Sequence, residues 1–202
     1  MSGLYMLVAQ AKRTAEVFEN RDIPDSETER IWKKLSLEMQ NIVLVGMPGS
    51  GKSTVGRLCA RALNLPFVDA DKFLEQREGR SVADIFASSG EGYFRDLESR
   101  VLAELCRREG IVLATGGGAV LRRENRRLLR DGGLVIFLDR SPWAIRRTLR
   151  RQGRPLLTDD GAIFRLARQR RDLYRAAAHH SINKPTARQA AEEAVRLWSE
   201  EQ

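Results

Sequence analysis

The sequence predicts an α/β protein: a five-stranded parallel sheet between two layers of helices, preceded by a helical extension over residues 1–40. Three observations carry this. Short, continuously apolar runs alternate with helical patterns from Asn41 onward. The runs do not alternate apolar with polar, as strands buried on both faces of a parallel sheet would not. The segments between them are long enough for crossover helices, which makes βαβ units.

In order along the chain, Met6–Phe18 has helical spacing, and Asn20–Ser26 with Pro24 is a turn. Ser26 with Glu29 three residues on reads as a capping box opening a second helix through Leu35. The stretch "SLEMQ" reads as a polar joint into the main domain. Strands are expected in "NIVLVG" (Asn41–Gly46), "PFVDA" (Pro66–Ala70), "GIVLAT" (Gly110–Thr115), "GLVIFLD" (Gly133–Asp139) and "HSIN" (His180–Asn183). In such sheets ligands bind beyond the carboxyl ends of the strands. There the first four runs deliver Gly46, Asp69, Gly116 and Asp139.

The chain has 202 residues, 42% hydrophobic, enough for one good-sized domain and an appendage. No apolar run is long enough to cross a bilayer, and the N-terminus lacks the basic and small-residue features of a secretory leader. The expected location is cytoplasmic, with Cys59 and Cys106 as free thiols. Net charge is +8. No aromatic-interleaved basic patch accompanies it, so nucleic acid ranks last, behind a solvated basic face and an arginine-lined polyanion site, and neither a nucleic-acid nor a membrane partner is expected.

"GMPGSGKST" (Gly46–Thr54) satisfies the phosphate-loop pattern, with an apolar strand before it and an amphipathic helix after. Its glycines let successive N–H groups face phosphate oxygens, and the helix beginning near Lys52 aims its positive end at the same place. Gly49, Ser50, Gly51, Lys52, Ser53 and Thr54 are the candidate ATP contacts, with Lys52 on the β- and γ-phosphates and Ser53 on Mg²⁺.

The acceptor side is less specific. Asp69 and Asp71, two apart at a strand end, would project to one side; the plain alternative for Asp71 is a helix cap. Arg95 and Glu98 share a helix face, as a surface ion pair or as an arginine aimed at an anionic substrate. Three glycines in "TGGGAV" (Thr115–Val120) suggest close approach of backbone to ligand. "RRTLRRQGRPLLTDDG" (Arg146–Gly161) is either a solvated linker or a basic lid, expected at about 147–160, that brings arginine to the phosphoryl group. Asp139 reads as a loop or cap residue. His179 and His180 are adjacent, so their side chains diverge, and Trp32, Trp143 and Trp198 read as packing residues.

Taken together, the P-loop, "VDAD", "GEGYFRDLE", "LATGGGAV" and "RPLL" resemble shikimate kinase, of the nucleoside-monophosphate-kinase-like P-loop fold, over residues 41–202. The resemblance implies ATP-dependent phosphorylation of the shikimate 3-hydroxyl, in chorismate and aromatic amino acid biosynthesis, by a monomeric kinase domain. It implies that Asp71 binds shikimate hydroxyls and accepts the proton, that Arg95 and Arg170 hold the carboxylate, and that Gly117 and Gly118 line the pocket. Lys52 and Arg154 would serve the transferred phosphate, Arg147 and Pro155 the adenine, and Ser53 with Asp69, through water, Mg²⁺. Asp172 stands where the family commonly has proline. Gluconate kinase would share the loop and lid but not the FRxxE and triple-glycine pair; an ATP-switched binding module would not turn over. Separately, Gly3–Phe18 with "IPDS" resembles the C-terminal end of shikimate dehydrogenase, where the counterpart of Gln10 contacts shikimate. That implies a remnant of a fused or truncated dehydrogenase–kinase chain, with self-association or an adjacent dehydrogenase as its partner.

Overall fold

The computed structural model describes residues 3–149 and 161–200. Five strands form one all-parallel sheet: β1 (Ile42–Val45), β2 (Phe67–Asp69), β3 (Val112–Ala114), β4 (Leu134–Leu138) and β5 (His180–Ile182), in the order β2-β3-β1-β4-β5. All five expected strands are present, each a residue or more shorter than its apolar run. Between β1 and β3 the ladder reaches just past the assigned strand, where Ile42 N donates to Ile111 O at 2.9 Å.

The apolar runs of β1, β3 and β4 are continuous because each of these strands feeds two cores, whereas β5 contributes only Ile182. Ile42 and Leu44 join Val112, Leu134 and Ile136 on one face, under α3 (Lys52–Leu63) and α9 (Ala187–Glu200). Val43 and Val45 join Leu113, Val135 and Phe137 on the other. That face is covered by α4 (Ala70–Glu78), α5 (Val82–Leu105), α6 (Arg123–Asp131), α7 (Pro142–Leu149) and α8 (Ala162–Ala177). Removing such side chains from water contributes about 1.5–3 kcal/mol each. Asn41 closes the bottom of the sheet: its amide donates to Arg108 O (2.5 Å) and Gly132 O (2.8 Å) and accepts from Ile111 N (2.9 Å).

Before the sheet stand α1 (Gly3–Glu19) and α2 (Asp25–Met39), an antiparallel hairpin. Lys12 pairs with Asp25, Ile23 N donates to Glu16 Oε1 at 3.0 Å, and the Tyr5 and Trp32 rings meet edge to face at 5.7 Å. Two sequence expectations fail here. The helix α2 opens at Asp25, with Glu27 N donating to Pro24 O at 3.0 Å, so Ser26 lies in the first turn and is not the cap. The acids Asp25 and Glu27 suit that turn's positive end. Nor is "SLEMQ" a joint: all but its last residue continue α2, since nothing in it breaks a helix.

The tryptophans also divide. Trp198 is buried and donates to Gln40 O at 3.4 Å, but Trp143 is 67% exposed, edge-on to Phe164 at 4.7 Å. Both cysteines are free; burial pushes the Cys59 thiol up to about 12 and Cys106 to about 11, so neither is a nucleophile at neutral pH. No described helix is long and apolar enough to cross a membrane.

Candidate active site

The site lies beyond the carboxyl ends of β1, β2 and β3. Gly46 leaves β1 with φ 150°, and the loop turns through Gly49 (φ 80°) to Gly51 (φ 98°), which opens α3. These are conformations L side chains rarely adopt. A Cβ on Gly46 would lie 3.0 Å from both Leu138 O and Ser50 Oγ. Lys52 is buried, and its ammonium is held over the loop by Gly46 O (2.8 Å) and Met47 O (3.0 Å). Ser50 Oγ is buried and makes no hydrogen bond; Thr54 is exposed.

Ser53, in the first turn of α3, donates to Asp69 Oδ2 at 2.6 Å. A hydroxyl and a carboxylate beside a phosphate loop form an all-oxygen set, as Mg²⁺ requires, with waters and phosphate oxygens for its remaining positions. Among the described residues no group of three or more His, Cys, Asp or Glu could hold a metal by itself.

Asp69 is also the cap of α4, accepting from Lys72 N at 3.4 Å. The sequence reading is corrected here: the helix starts at Ala70, so Asp71 lies in its first turn, neither the cap nor on an extended edge with Asp69. The two carboxylates diverge. Asp69 turns to Ser53 and Asp71 to the triple glycine, where a Cβ on Gly116 would lie 2.6 Å from Asp71 Oδ1 and 2.8 Å from Glu98 Oε1.

Arg95 comes from α5, which Gly90 breaks with φ 79° and ψ 171°. The second arm carries Glu91, Arg95 and Glu98 on one face. Arg95 Nη1 donates to Glu98 Oε2 at 2.7 Å and Nη2 to Glu91 Oε1 at 2.9 Å, with the guanidinium carbon 5.2 Å from the Phe94 ring centre. Burial opposes the charge on Arg95, but the two glutamates outweigh it and hold the guanidinium firmly protonated. The Glu98 side chain is 4% exposed and Arg95's 13%, so this is not a surface ion pair. Gly118 faces this arginine: a Cβ there would lie 2.5 Å from Arg95 Cζ.

Arg170 reaches the same loop from α8, donating to Gly117 O at 3.1 Å. Asp172 does not disturb it: α8 is unbroken across this position, and Arg175 pairs with Asp172 at 3.7 Å. Sequence reasoning missed Tyr174, one turn on, whose hydroxyl donates to Gly117 O at 2.6 Å. Burial pushes its phenol up to about 12, so it stays a donor. The spacing Arg170-x-x-x-Tyr174 was the available signal. Missed too was Pro48, whose Cγ would lie 2.6 Å from a Cβ on Gly117. Asp139 sits on the flank, accepting from Arg171 Nη2 at 2.7 Å, while Ser141 Oγ caps α7 by accepting from Ala144 N. Arg147 is exposed in the last turn of α7; Arg154, Pro155 and the rest of the expected lid lie outside the described residues. His179 Nδ1 accepts from Val135 N at 2.9 Å, an edge contact of the sheet remote from this chemistry.

The chain is similar to known proteins. The Shikimate kinase family model matches residues 48–198. The shikimate kinase of Pseudomonas syringae pv. syringae is 55% identical over 103 residues, 51% of this chain and 60% of that protein. The chain thus spans about 60% of the length of such curated relatives. Among solved structures, the shikimate kinase from Acinetobacter baumannii in complex with shikimate superposes with a TM-score of 0.78 at 36% identity, covering 84% of this chain and 98% of that one. A gluconokinase from Sinorhizobium meliloti, at 18% identity and a TM-score of 0.52, shares the fold alone. With three-quarters of its length under the family model, the chain belongs to the shikimate kinase family.

Proposed function

We propose that the chain transfers the γ-phosphoryl group of ATP to the 3-hydroxyl of shikimate, giving shikimate 3-phosphate and ADP, as a step of chorismate biosynthesis in the cytoplasm. The observation that carries this reading is the convergence of Asp71, the Glu98-held Arg95 and Arg170 on Gly116–Gly118, next to the phosphate loop. One carboxylate and two guanidiniums suit a polyhydroxylated carboxylic acid. Arg95 and Arg170 hold its carboxylate, Asp71 its hydroxyls, and Gly117 and Gly118 leave room for its ring.

In this reading the triphosphate lies in the loop from Gly49 to Thr54, and the Lys52 ammonium exchanges loop carbonyls for β- and γ-phosphate oxygens. The acceptor oxygen forms its bond to the γ-phosphorus as the bond to the β,γ-bridging oxygen breaks, and that electron pair leaves with ADP. Asp71 takes the proton of the reacting hydroxyl. Arg154 comes to the transferred phosphoryl group, with Arg147 and Pro155 at the adenine. Mg²⁺ held by Ser53 and, through water, Asp69 would neutralise charge on the phosphates. Residues 41–202 form the kinase domain in this division, and residues 1–40 the appendage with the dehydrogenase-like sequence. Within the hairpin Gln10 is exposed.

The test is ADP release with shikimate, gluconate and nucleoside monophosphates offered in turn, for the unaltered chain and for Arg95→Ala. Shikimate alone should support turnover. Breaking a largely buried charge pair costs about 2–5 kcal/mol, so Arg95→Ala should lose about 30- to 5,000-fold in kcat/KM for shikimate with ATP binding intact. Turnover on gluconate, or equal loss of both ligands, contradicts the assignment.

A further inference from the structure

The carbonyl of Gly117 is the most heavily engaged backbone group of the acceptor loop. Both its lone pairs are used, by Tyr174 OH at 2.6 Å and Arg170 Nη1 at 3.1 Å. Tyr174 is fully buried, its ring stacked on Phe137 of β4 at 5.1 Å and 20°. The hydroxyl is therefore fixed by the sheet itself. On its other side Gly117 lies against Pro48, so closely that a methyl group there would meet the proline at Cγ (2.6 Å) and Cδ (2.7 Å). Pro48 belongs to the phosphate loop, between Met47, whose carbonyl holds Lys52, and Gly49. One peptide group of the acceptor loop is thus clamped between a hydroxyl anchored on the core and the ring of the nucleotide loop.

We infer that Tyr174 is a positioning residue: through the Gly117 carbonyl it sets the acceptor loop against Pro48, and so links occupancy of the phosphate loop to affinity for the acceptor. This rests on the proposed acceptor, shikimate. The hydroxyl fixes Gly117 and also meets the Arg170 guanidinium, so it orients that arginine toward the substrate carboxylate as well. When the phosphate loop closes on nucleotide, Pro48 presses on a peptide that cannot retreat, and the shift passes to Arg170, Gly118 and Arg95. Such a link is reciprocal: nucleotide and acceptor must each raise the other's affinity by the same factor.

The experiment measures shikimate affinity of the full chain with and without a non-hydrolysable ATP analogue, for the unaltered chain and Tyr174→Phe. The phenylalanine keeps the ring on Phe137 and removes only the hydroxyl. Expected is a several-fold enhancement by nucleotide in the unaltered chain, collapsing toward none in Tyr174→Phe. The KM for shikimate should rise about five- to tenfold, as for the loss of one hydrogen bond, with nucleotide affinity alone unchanged. Gly117→Ala, pressing on Pro48 from the acceptor side, should weaken nucleotide binding, and supplies the answer where Tyr174→Phe does not fold. A lowered melting temperature with the enhancement intact makes Tyr174 a packing residue only and overturns the inference. So does an unaltered chain whose shikimate affinity ignores nucleotide. An unaltered chain that binds no shikimate overturns the acceptor assignment, and the link with it.

Discussion

The two oxygens of Glu98 are unequally served. Oε2 accepts from Arg95 at 2.7 Å, whereas Oε1 is buried without a hydrogen-bond partner, facing Gly116 and Asp71. Burial, and the nearby Asp71 to a lesser degree, raise the pKa of Glu98 above its ordinary 4.5, against the pull of Arg95 and Arg170. A carboxyl with a raised folded value binds its proton more tightly in the native state than in the unfolded chain. Its contribution to stability is therefore fully present below the ordinary value and is lost as pH rises through the folded value. Glutamine at 98 does not titrate. The stability of the unaltered chain relative to Glu98→Gln should then be lowest at neutral pH and grow as pH falls toward 4.5. Thermal melts of both proteins across that range check it, and a constant difference would contradict the raised value. The same site shows which residues sequence could name. Lys52 and Ser53 were legible because the phosphate-loop motif requires those residue types; Asp71, Arg95 and Arg170 each had an ordinary alternative and were named through the family resemblance. Tyr174 and Pro48 were not, because a tyrosine in a helix and a proline in a loop have many ordinary uses, and only tertiary contact with Gly117 gives them another.

Among elements, the strands were the most legible, because burial on both faces imposes continuous apolar runs that no surface helix needs. Helix starts were the least, since several polar residues compete for the first turn: Asp69 and not Asp71 caps α4, and α2 opens at Asp25, one residue before Ser26. The order β2-β3-β1-β4-β5 could not be read from residues at all, because the sequence of a strand does not name its neighbours in the sheet. The triple-glycine segment was legible as a place of close approach, and the structure shows what approaches: Asp71 and Glu98 at Gly116, Pro48 at Gly117, Arg95 at Gly118. At Gly118 the obstruction is a guanidinium tied to two glutamates, which cannot swing away without breaking a buried pair. Gly118→Ala should therefore raise the KM for shikimate while leaving ATP affinity near normal. Gly92, on the same arm as Arg95, has open space where a Cβ would stand. Gly92→Ala should be neutral or stabilising, by up to about 1 kcal/mol, as alanine is in a helix. Steady-state kinetics and melts on the two variants check this; equal effects would mean that the glycines serve the backbone and not the site.

At the scale of the molecule, the question is whether the α1–α2 hairpin belongs to the catalytic unit. Its inner face is built from Tyr5, Val8, Lys12 and Glu16, spaced three and four apart, against Thr28 and Trp32 of α2. It is not a well-finished core: Thr28 Oγ1 and Trp32 Nε1 are buried without hydrogen-bond partners. Its opposite face leaves Met6 56%, Leu7 63%, Val17 80% and Phe18 85% exposed, an apolar stripe that one helix hairpin has no means of covering. Such a stripe favours association. The sheet, by contrast, is sealed just after the hairpin, by the Asn41 amide and by Trp198 on Gln40 O. A chain beginning at Leu37 keeps all of these bonds and every residue assigned to the site. It should fold, bind ATP and phosphorylate shikimate as the full chain does. The full chain should self-associate more strongly with rising concentration, because only it carries the stripe. Sedimentation velocity over a concentration series, together with turnover of both proteins, checks this. Equal sedimentation behaviour would show that the stripe is covered within one molecule. Loss of turnover in the shorter chain with ATP binding intact would make the hairpin part of the acceptor site, and then its exposed Gln10 is the first residue to substitute.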